Sequence, residues 1–263
     1  MKQAEHFLQE SEVLFDLVSS IDPEVFSVPT QFKQWTVNDI LVHLHFWNLG
    51  ADQSLNDPDE FKAMFDELFT ALKAGRLRDH ENGRVLERDL ELLATWKDLF
   101  CDMGERWGKV DPKTRVKWAG PDMSARTSIS ARQMETWAHG QAIFDMVGKD
   151  RPESDRISNI VILGVNAFGW SHKVHGLDVP ERMPKLWLNS PSGEIWKFGE
   201  SDDLIEGSAV EFCQVVTQTR NIADTSLKVE GPDATRWMEN AQCFAGPPNR
   251  PPAPGTRYKC TPA

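Results

Sequence analysis

Two side chains set four residues apart carry the clearest chemical signal in this sequence. In the stretch ARQMETWAHGQAIFD, Glu135 and His139 stand at i and i+4 of what reads as a helix. That spacing stacks a carboxylate and an imidazole on one face, so both can converge on one point. They share a stripe with Ala131, Ala138, Ala142 and Met146, which marks the face as one turned toward a core. A charged acid and a histidine held there need a partner, and the two simplest are each other or a metal ion. E-x-x-x-H alone does not choose between a hydrogen-bonded pair and half of a metal site.

Further ligands must come from other elements. The segment VNDILVHLHFWNLG reads as a second helix, begun by Thr36 with Asp39 in a capping-box pattern. Its apolar stripe runs through Val37, Ile40, Leu41, Leu44 and Trp47, and His43 and His45 flank that stripe on opposite sides, about 200° apart. Periodicity does not decide which of them faces inward. His172 and His175 form an i, i+3 pair ahead of a helix stop at Gly176, a place that suits a surface or supporting role.

The elements that must hold these groups are mostly helical. Residues 2 to about 20, 58 to 76 and 83 to 107 carry apolar residues at i, i+3 and i+4 and charges elsewhere. Between the last two, Arg78, Asp79, His80 and Glu81 read as a polar connection, with His80 exposed. A loop through VDPKTRVKWAGPDMSARTS leads to Ser130 and Gln133, a capping pattern just ahead of Glu135. Residues 155 to 172 are apolar nearly all round, as expected of a helix buried in a bundle. From Pro184 the pattern changes: LWLNS and EIWKFG flank PSG as a hairpin, followed by a helix in GSAVEFCQVVTQ, a strand in TSLKVEG and a proline-started helix in PDATRWMENAQCFAG. The expected division is a helical domain over 1–178, a small α+β domain over 184–248 and a proline-rich extended tail over 249–263.

Composition bounds the function classes. A chain of 263 residues with formal net charge −11 does not present the basic surface that nucleic acid or an anionic membrane requires. Cys101, Cys213, Cys243 and Cys260 lack metal or disulfide spacing and read as reduced thiols. No basic start followed by an apolar run opens the sequence, and no stretch reaches about 18 apolar residues, so a cytoplasmic location is expected.

The stretch WTVNDILVHLHFW resembles the helix that carries the first histidine ligand in the DinB-like superfamily, in its mycothiol-dependent maleylpyruvate isomerase branch. ETWAHGQAIFD resembles that branch's E-x-x-x-H helix. The 91 residues between His43 and Glu135 fit the same pattern, and PSGEIWKFG, GSAVEFCQVVTQTR and ADTSLKVEGPDATRWMENAQCFAG resemble the small C-terminal domain that often follows. The likeness spans most of the chain. It implies an all-α antiparallel four-helix bundle followed by a small α+β domain, and it selects His43 over His45, so that His43, Glu135 and His139 become the expected metal ligands. It also brings Arg220 to where the family presents an arginine to its site, against the alternative of an ion pair with Asp224 or another acid. Trp47 and Trp137, next to ligand turns, are expected either to wall a cofactor pocket or to pack in the core.

Two imidazoles and a carboxylate suit a divalent metal, zinc first with iron(II) or nickel as alternatives, and three protein ligands leave positions open for catalysis. What the family implies is a metal that activates a low-molecular-weight thiol, of the mycothiol or glutathione kind, for transfer to or cis-trans isomerisation of a small acidic substrate. A metal-dependent hydrolase and a non-catalytic metal- or ligand-binding protein keep the same triad. Small molecules are the expected partners, with a homodimer left open. His172 and His175 stand where this branch leads one to expect an aromatic residue and an arginine.

Overall fold

A computed structural model describes residues 1–118 and 122–261. Ala119, Gly120 and Pro121 of the expected connecting loop, and Pro262 and Ala263 of the expected tail, lie outside the described residues. Packing divides the chain into two compact units, Met1–Ile143 and Phe144–Ala263. The change of sequence pattern falls later, just before the first strand of the second unit's sheet.

The first unit is a helical bundle. Its long helices are α1 (Lys2–Ser19), α2 (Val37–Asn56), α5 (Asp89–Gly108) and α6 (Ala125–Val147), the last running on into the second unit; α3 (Pro58–Lys73) and α4 (Leu77–Arg84) bridge α2 and α5. Helix α5 packs on both α1 and α2, and α2 also packs on α3 and α4. The apolar stripes read from the sequence become the core: Phe7, Leu14 and Val18 of α1, Ile40, Leu41 and Leu44 of α2, and Trp96, Phe100 and Trp107 of α5 are all at most 1% exposed. Burying side chains of this size contributes about 1.5–3 kcal/mol each.

The start of α2 follows the expected chemistry. Thr36 Oγ1 accepts the Asp39 amide at 3.1 Å, and the Asp39 carboxylate accepts the Thr36 amide at 3.0 Å, a reciprocal capping box. Two expectations change here. Residues 77–84 are helical, where a polar connection was expected. Helix α6 begins at Ala125, so Ser130 lies inside it; the capping hydroxyl belongs to Ser124, which accepts the Thr127 amide at 3.2 Å. A short pairing of β1 (Arg115–Val116) with β2 (Met123–Ser124) leads into that cap.

In the second unit the apolar run 155–172 is not one bundle helix. It opens as a 3₁₀ turn at Asp155–Ile157 and continues as α7 (Ser158–Asn166) and α8 (Phe168–Val174), separated at Ala167, where ψ is 3°. Helix α7 packs on α9 (Ala209–Val216), and Gly164 permits the approach: a Cβ there would stand 3.0 Å from Phe212 and Val216. The sheet has the order β4-β3-β5-β6, with β3 (Lys185–Asn189) and β4 (Ile195–Phe198) forming the expected hairpin. Strand β5 (Leu204–Ser208) was not anticipated; it runs parallel to β3 and antiparallel to β6 (Lys228–Glu230). Helix α10 (Pro232–Asn240) begins at proline, and Asp203 Oδ2 accepts the amides of Asp233 and Ala234 at its start. The proline-rich tail is fastened: the Cys260 amide donates to the Asp145 carbonyl at 2.8 Å, and the Arg257 guanidinium to the Gln218 carbonyl. Among the described residues no helix is long and apolar enough to cross a membrane.

Candidate metal centre

Helices α2 and α6 bring His43, Glu135 and His139 together. One donor atom from each lies within 4.8 Å of the others. His139 Nε2 is 3.1 Å from Glu135 Oε2, and His43 Nε2 is 3.7 Å from the same oxygen. Ligands about 2.0–2.1 Å from a tetrahedral metal are separated by about 3.3 Å, so two nitrogens and one oxygen at these spacings fit a divalent ion with small adjustment. The side chains are 12%, 23% and 13% exposed in chain order, sheltered yet reachable by a small ligand.

His45 takes the other side of α2. It is 6% exposed, its Nδ1 has no partner among the described residues, and burial pushes its imidazole toward the neutral form. Of the two histidines that the helical wheel leaves equivalent, His43 is the one beside Glu135 and His139.

Two kinds of contact orient the paired histidines. His43 Nδ1 is 2.9 Å from Oε1 of Glu81, a residue of α4 that is completely buried. Trp47, one turn along α2, donates its indole N–H to the same oxygen at 2.9 Å, and Arg78 binds the other oxygen. Arg78 also donates to the Asp39 carboxylate at 2.7 Å and lies 4.2 Å over the Trp35 ring. His139 is held by aromatic faces instead. Trp35 stacks parallel to it with centroids 5.6 Å apart, and Phe32 meets it edge-on at 5.0 Å. Both rings come from a tight turn before α2 in which Lys33 and Gln34 adopt left-handed backbone angles and the Thr30 amide binds the Trp35 carbonyl.

Beneath Glu135 on α6 lies Arg132, 2% exposed, whose Nε donates to Asn48 Oδ1 at 3.0 Å. Burial pushes its guanidinium down to about 10, against the pull of Glu135 and Glu81. Burial pushes the Glu135 carboxyl up, but the hydrogen bond from His139, the nearby His43 imidazole and the charge of Arg132 overcome it and hold the group well below the usual range. Burial likewise opposes charge on both imidazoles. For His43, the nearby Glu135 carboxylate and the bond to Glu81 outweigh it and the net shift is upward; for His139, the single bond to Glu135 does not, and the net is downward. The centre therefore contains two ionised carboxylates matched by two guanidiniums, with one imidazole inclined to neutrality.

The other expected residues make contacts of their own. Trp47 is half-buried with its ring 6.2 Å from that of His43. Trp137 is completely buried; two residues from Glu135 on α6, it points about 200° away into the core. Arg220 lies in the second unit, where its guanidinium binds Asp145 through two bonds of 2.8 and 2.6 Å; the partner is Asp145 rather than Asp224. His172 is buried there as well, its Nδ1 2.8 Å from the Phe168 carbonyl, while His175 is half-buried. Glu81 was overlooked. The one signal available was the Arg78–Glu81 pair at i, i+3 in a segment that turned out helical, a pattern that solvated acids share.

Comparison with known proteins places this geometry. Residues 7–144, just over half of the chain, match the family described as the mycothiol maleylpyruvate isomerase N-terminal domain. Two proteins of Mycobacterium tuberculosis, one from each of two strains and both described as uncharacterized, are 35% identical over 246 residues, covering 92% of this chain and 94% of theirs. The crystal structure of the mycothiol-dependent maleylpyruvate isomerase superposes with a TM-score of 0.56 at 12% identity, over 88% of this chain and 94% of that one. A histidine variant of that enzyme gives 0.53 at 13% identity, over 81% and 87%. At such identities these structures establish the shared architecture, a DinB-like bundle followed by a small α+β region. With the domain match and the close relatives together, the chain belongs to the mycothiol maleylpyruvate isomerase N-terminal domain family.

Proposed function

We propose that the protein is a metal-dependent enzyme that activates a low-molecular-weight thiol, of the mycothiol or glutathione kind, for transfer to or cis-trans isomerisation of a small acidic substrate. The observation that carries this reading is the convergence of His43 Nε2, Glu135 Oε2 and His139 Nε2 from two helices at a partly exposed point. A divalent ion such as zinc held there, with positions left open, lowers the pKa of a bound thiol so that it is a thiolate at neutral pH.

The chain's own groups then have separate tasks. Glu135 supplies negative charge and, with the two imidazoles, holds the ion. Trp47 and Trp35 limit the approach of water from the α2 side. Trp137 supports α6 from the core. Arg220 is a candidate for binding a substrate carboxylate, which it could do only by sharing or exchanging its bonds to Asp145. Isomerisation needs no redox partner: a C–S bond forms at one end of a conjugated double bond, the remaining single bond rotates, and the same C–S bond breaks. Transfer differs only in that a leaving group departs from the electrophile.

Metal content measured beside turnover with and without added thiol tests the reading. About one equivalent of metal, lost in His43→Ala and His139→Ala with helicity retained, together with thiol-dependent consumption of a maleyl-type acid or another electrophile, supports it. Turnover indifferent to thiol would move the same triad to a water-activating hydrolase, and metal without turnover of any electrophile would leave a ligand-binding protein.

A further inference from the structure

We infer that Glu81 is the positioning residue of the metal centre: its buried carboxylate fixes His43 in the tautomer whose Nε2 lone pair faces Glu135 and His139. The inference rests on the metal-site reading above and adds a residue outside the triad.

An ionised carboxylate can only accept hydrogen bonds, so the His43 nitrogen 2.9 Å from Glu81 Oε1 must be the one that carries the proton. Nδ1 is thereby protonated, and Nε2 is left with its lone pair on the side where Glu135 Oε2 stands 3.7 Å away. The opposite tautomer would set the Nδ1 lone pair against those of Glu81 Oε1 and leave Nδ1 without a donor. The 2.9 Å contact at Nδ1, against 3.7 Å at Nε2, leaves Nε2 as the nitrogen that can bind a metal.

Glu81 is itself held on every side. Trp47 and His43 sit at i and i+4 of α2, so consecutive turns deliver both N–H groups to one oxygen, at 2.9 Å each. The second oxygen is bound by Arg78, whose other nitrogen reaches the Asp39 carboxylate at 2.7 Å and its carbonyl at 3.2 Å. A carboxylate that is completely buried would be costly without such partners. Held by three donors from two helices, it leaves the His43 ring little freedom to rotate.

His139 offers the internal contrast. No carboxylate braces it from behind, its Nδ1 lacks a partner among the described residues, and the faces of Trp35 and Phe32 hold it instead. The two imidazoles therefore differ in kind: His43 is braced by a carboxylate at the nitrogen turned away from the triad, whereas His139 has its one polar contact at Nε2, 3.1 Å from Glu135 Oε2.

The test reads the tautomer in metal-free protein and the metal affinity separately. Long-range ¹H–¹⁵N correlation spectra of the imidazoles, recorded at a pH where they are neutral, should show His43 as the Nδ1–H form. In Glu81→Ala that form should give way to a mixture, and affinity for zinc, measured against a competing chelator, should fall about 10- to 100-fold. Glu81→Gln keeps an acceptor oxygen and should retain the Nδ1–H form with an intermediate affinity. The d–d spectrum of the cobalt-loaded protein should change in Glu81→Ala at unchanged helicity. Wild-type His43 found as the Nε2–H form overturns the inference without any variant, even if Glu81→Ala does not fold. So does a folded Glu81→Ala that binds zinc within twofold of wild type. Wild-type protein that takes up no metal at all overturns the metal reading, and the role of Glu81 with it, whichever tautomer the spectra show.

Discussion

His43 Nε2 and Glu135 Oε2 lie 3.7 Å apart, although 91 residues separate them in the chain. The pair joins α2 to α6 across the interior of the first unit, and an ion bound between them ties together two helices that no short loop connects. Metal binding should therefore appear as stability of the bundle. A ligand that binds only the folded state adds about 2.7 kcal/mol when present at 100 times its dissociation constant. Thermal unfolding with and without zinc should show an upward shift in the wild type and none in Glu135→Ala or His139→Ala. A shift of equal size in those variants would mean the ion binds elsewhere.

How much of this was readable in advance depended on whether the partner was near in sequence. The capping box of Thr36 and Asp39 and the E-x-x-x-H turn of Glu135 and His139 are legible in the sequence because helix geometry sets both. His43 against His45 could not be settled that way, since the two flank one stripe symmetrically; the choice came from resemblance. Glu81 stands in what reads as a polar connection, and nothing local marks its burial: its partners His43 and Trp47 lie 38 and 34 residues away. Ser130 with Gln133 carries the same capping pattern as a true start, yet lies inside α6, where Ser124 caps instead. Strand β5 escaped notice because it contains Gly207, and its pairing with β3 is a tertiary event. Local rules give the helices and the Glu135–His139 turn, whereas the approach of α2 and α4 to that turn is long-range.

Arg132 is expected to matter more for the metal-free protein than for the loaded one. Its guanidinium is buried one turn from Glu135 and offsets the charge of both Glu135 and Glu81. Arg132→Met removes one member of a buried charge set, a change that typically costs about 3–5 kcal/mol. An ion at the triad would restore positive charge close by. Urea unfolding of the variant should show a large deficit without zinc and a smaller one with it. An equal deficit in both conditions would make Arg132 a packing residue and nothing more.

The start of α2 gives a prediction with a defined pH window. Thr36→Ala removes the hydroxyl that accepts the Asp39 amide and should cost about 1 kcal/mol. Burial pushes the Asp39 carboxyl up, but bonds from Thr36 and Arg78 outweigh it, and the group titrates below its ordinary 3.8. A depressed carboxyl stabilises the fold above the unfolded-state value, and the contribution is lost as pH falls through the folded-state value. Stability of the wild type should therefore decline between about pH 4 and the lower folded-state value, and Asp39→Asn should flatten that part of the curve while lowering the plateau at neutral pH. Indistinguishable acid limbs for the two proteins would remove Asp39 from the account.

Arg220 and Asp145 form a sheltered ion pair in the second unit, at 11% and 4% side-chain exposure. Two parallel bonds from one guanidinium to one carboxylate require arginine, because a lysine ammonium supplies a point charge without the matching fork. If the pair is structural alone, Arg220→Ala and Asp145→Asn should each cost about 3 kcal/mol, and Arg220→Lys should recover only part of that loss. If Arg220 also binds a substrate carboxylate, Arg220→Lys should in addition raise KM for an acidic substrate, while Asp145→Asn, which frees the guanidinium, should leave KM unchanged or lower it. Stability and KM are separable because the former is measured without substrate. Parallel losses in unfolding free energy with no difference in KM between the two variants would assign Arg220 to the fold of the second unit.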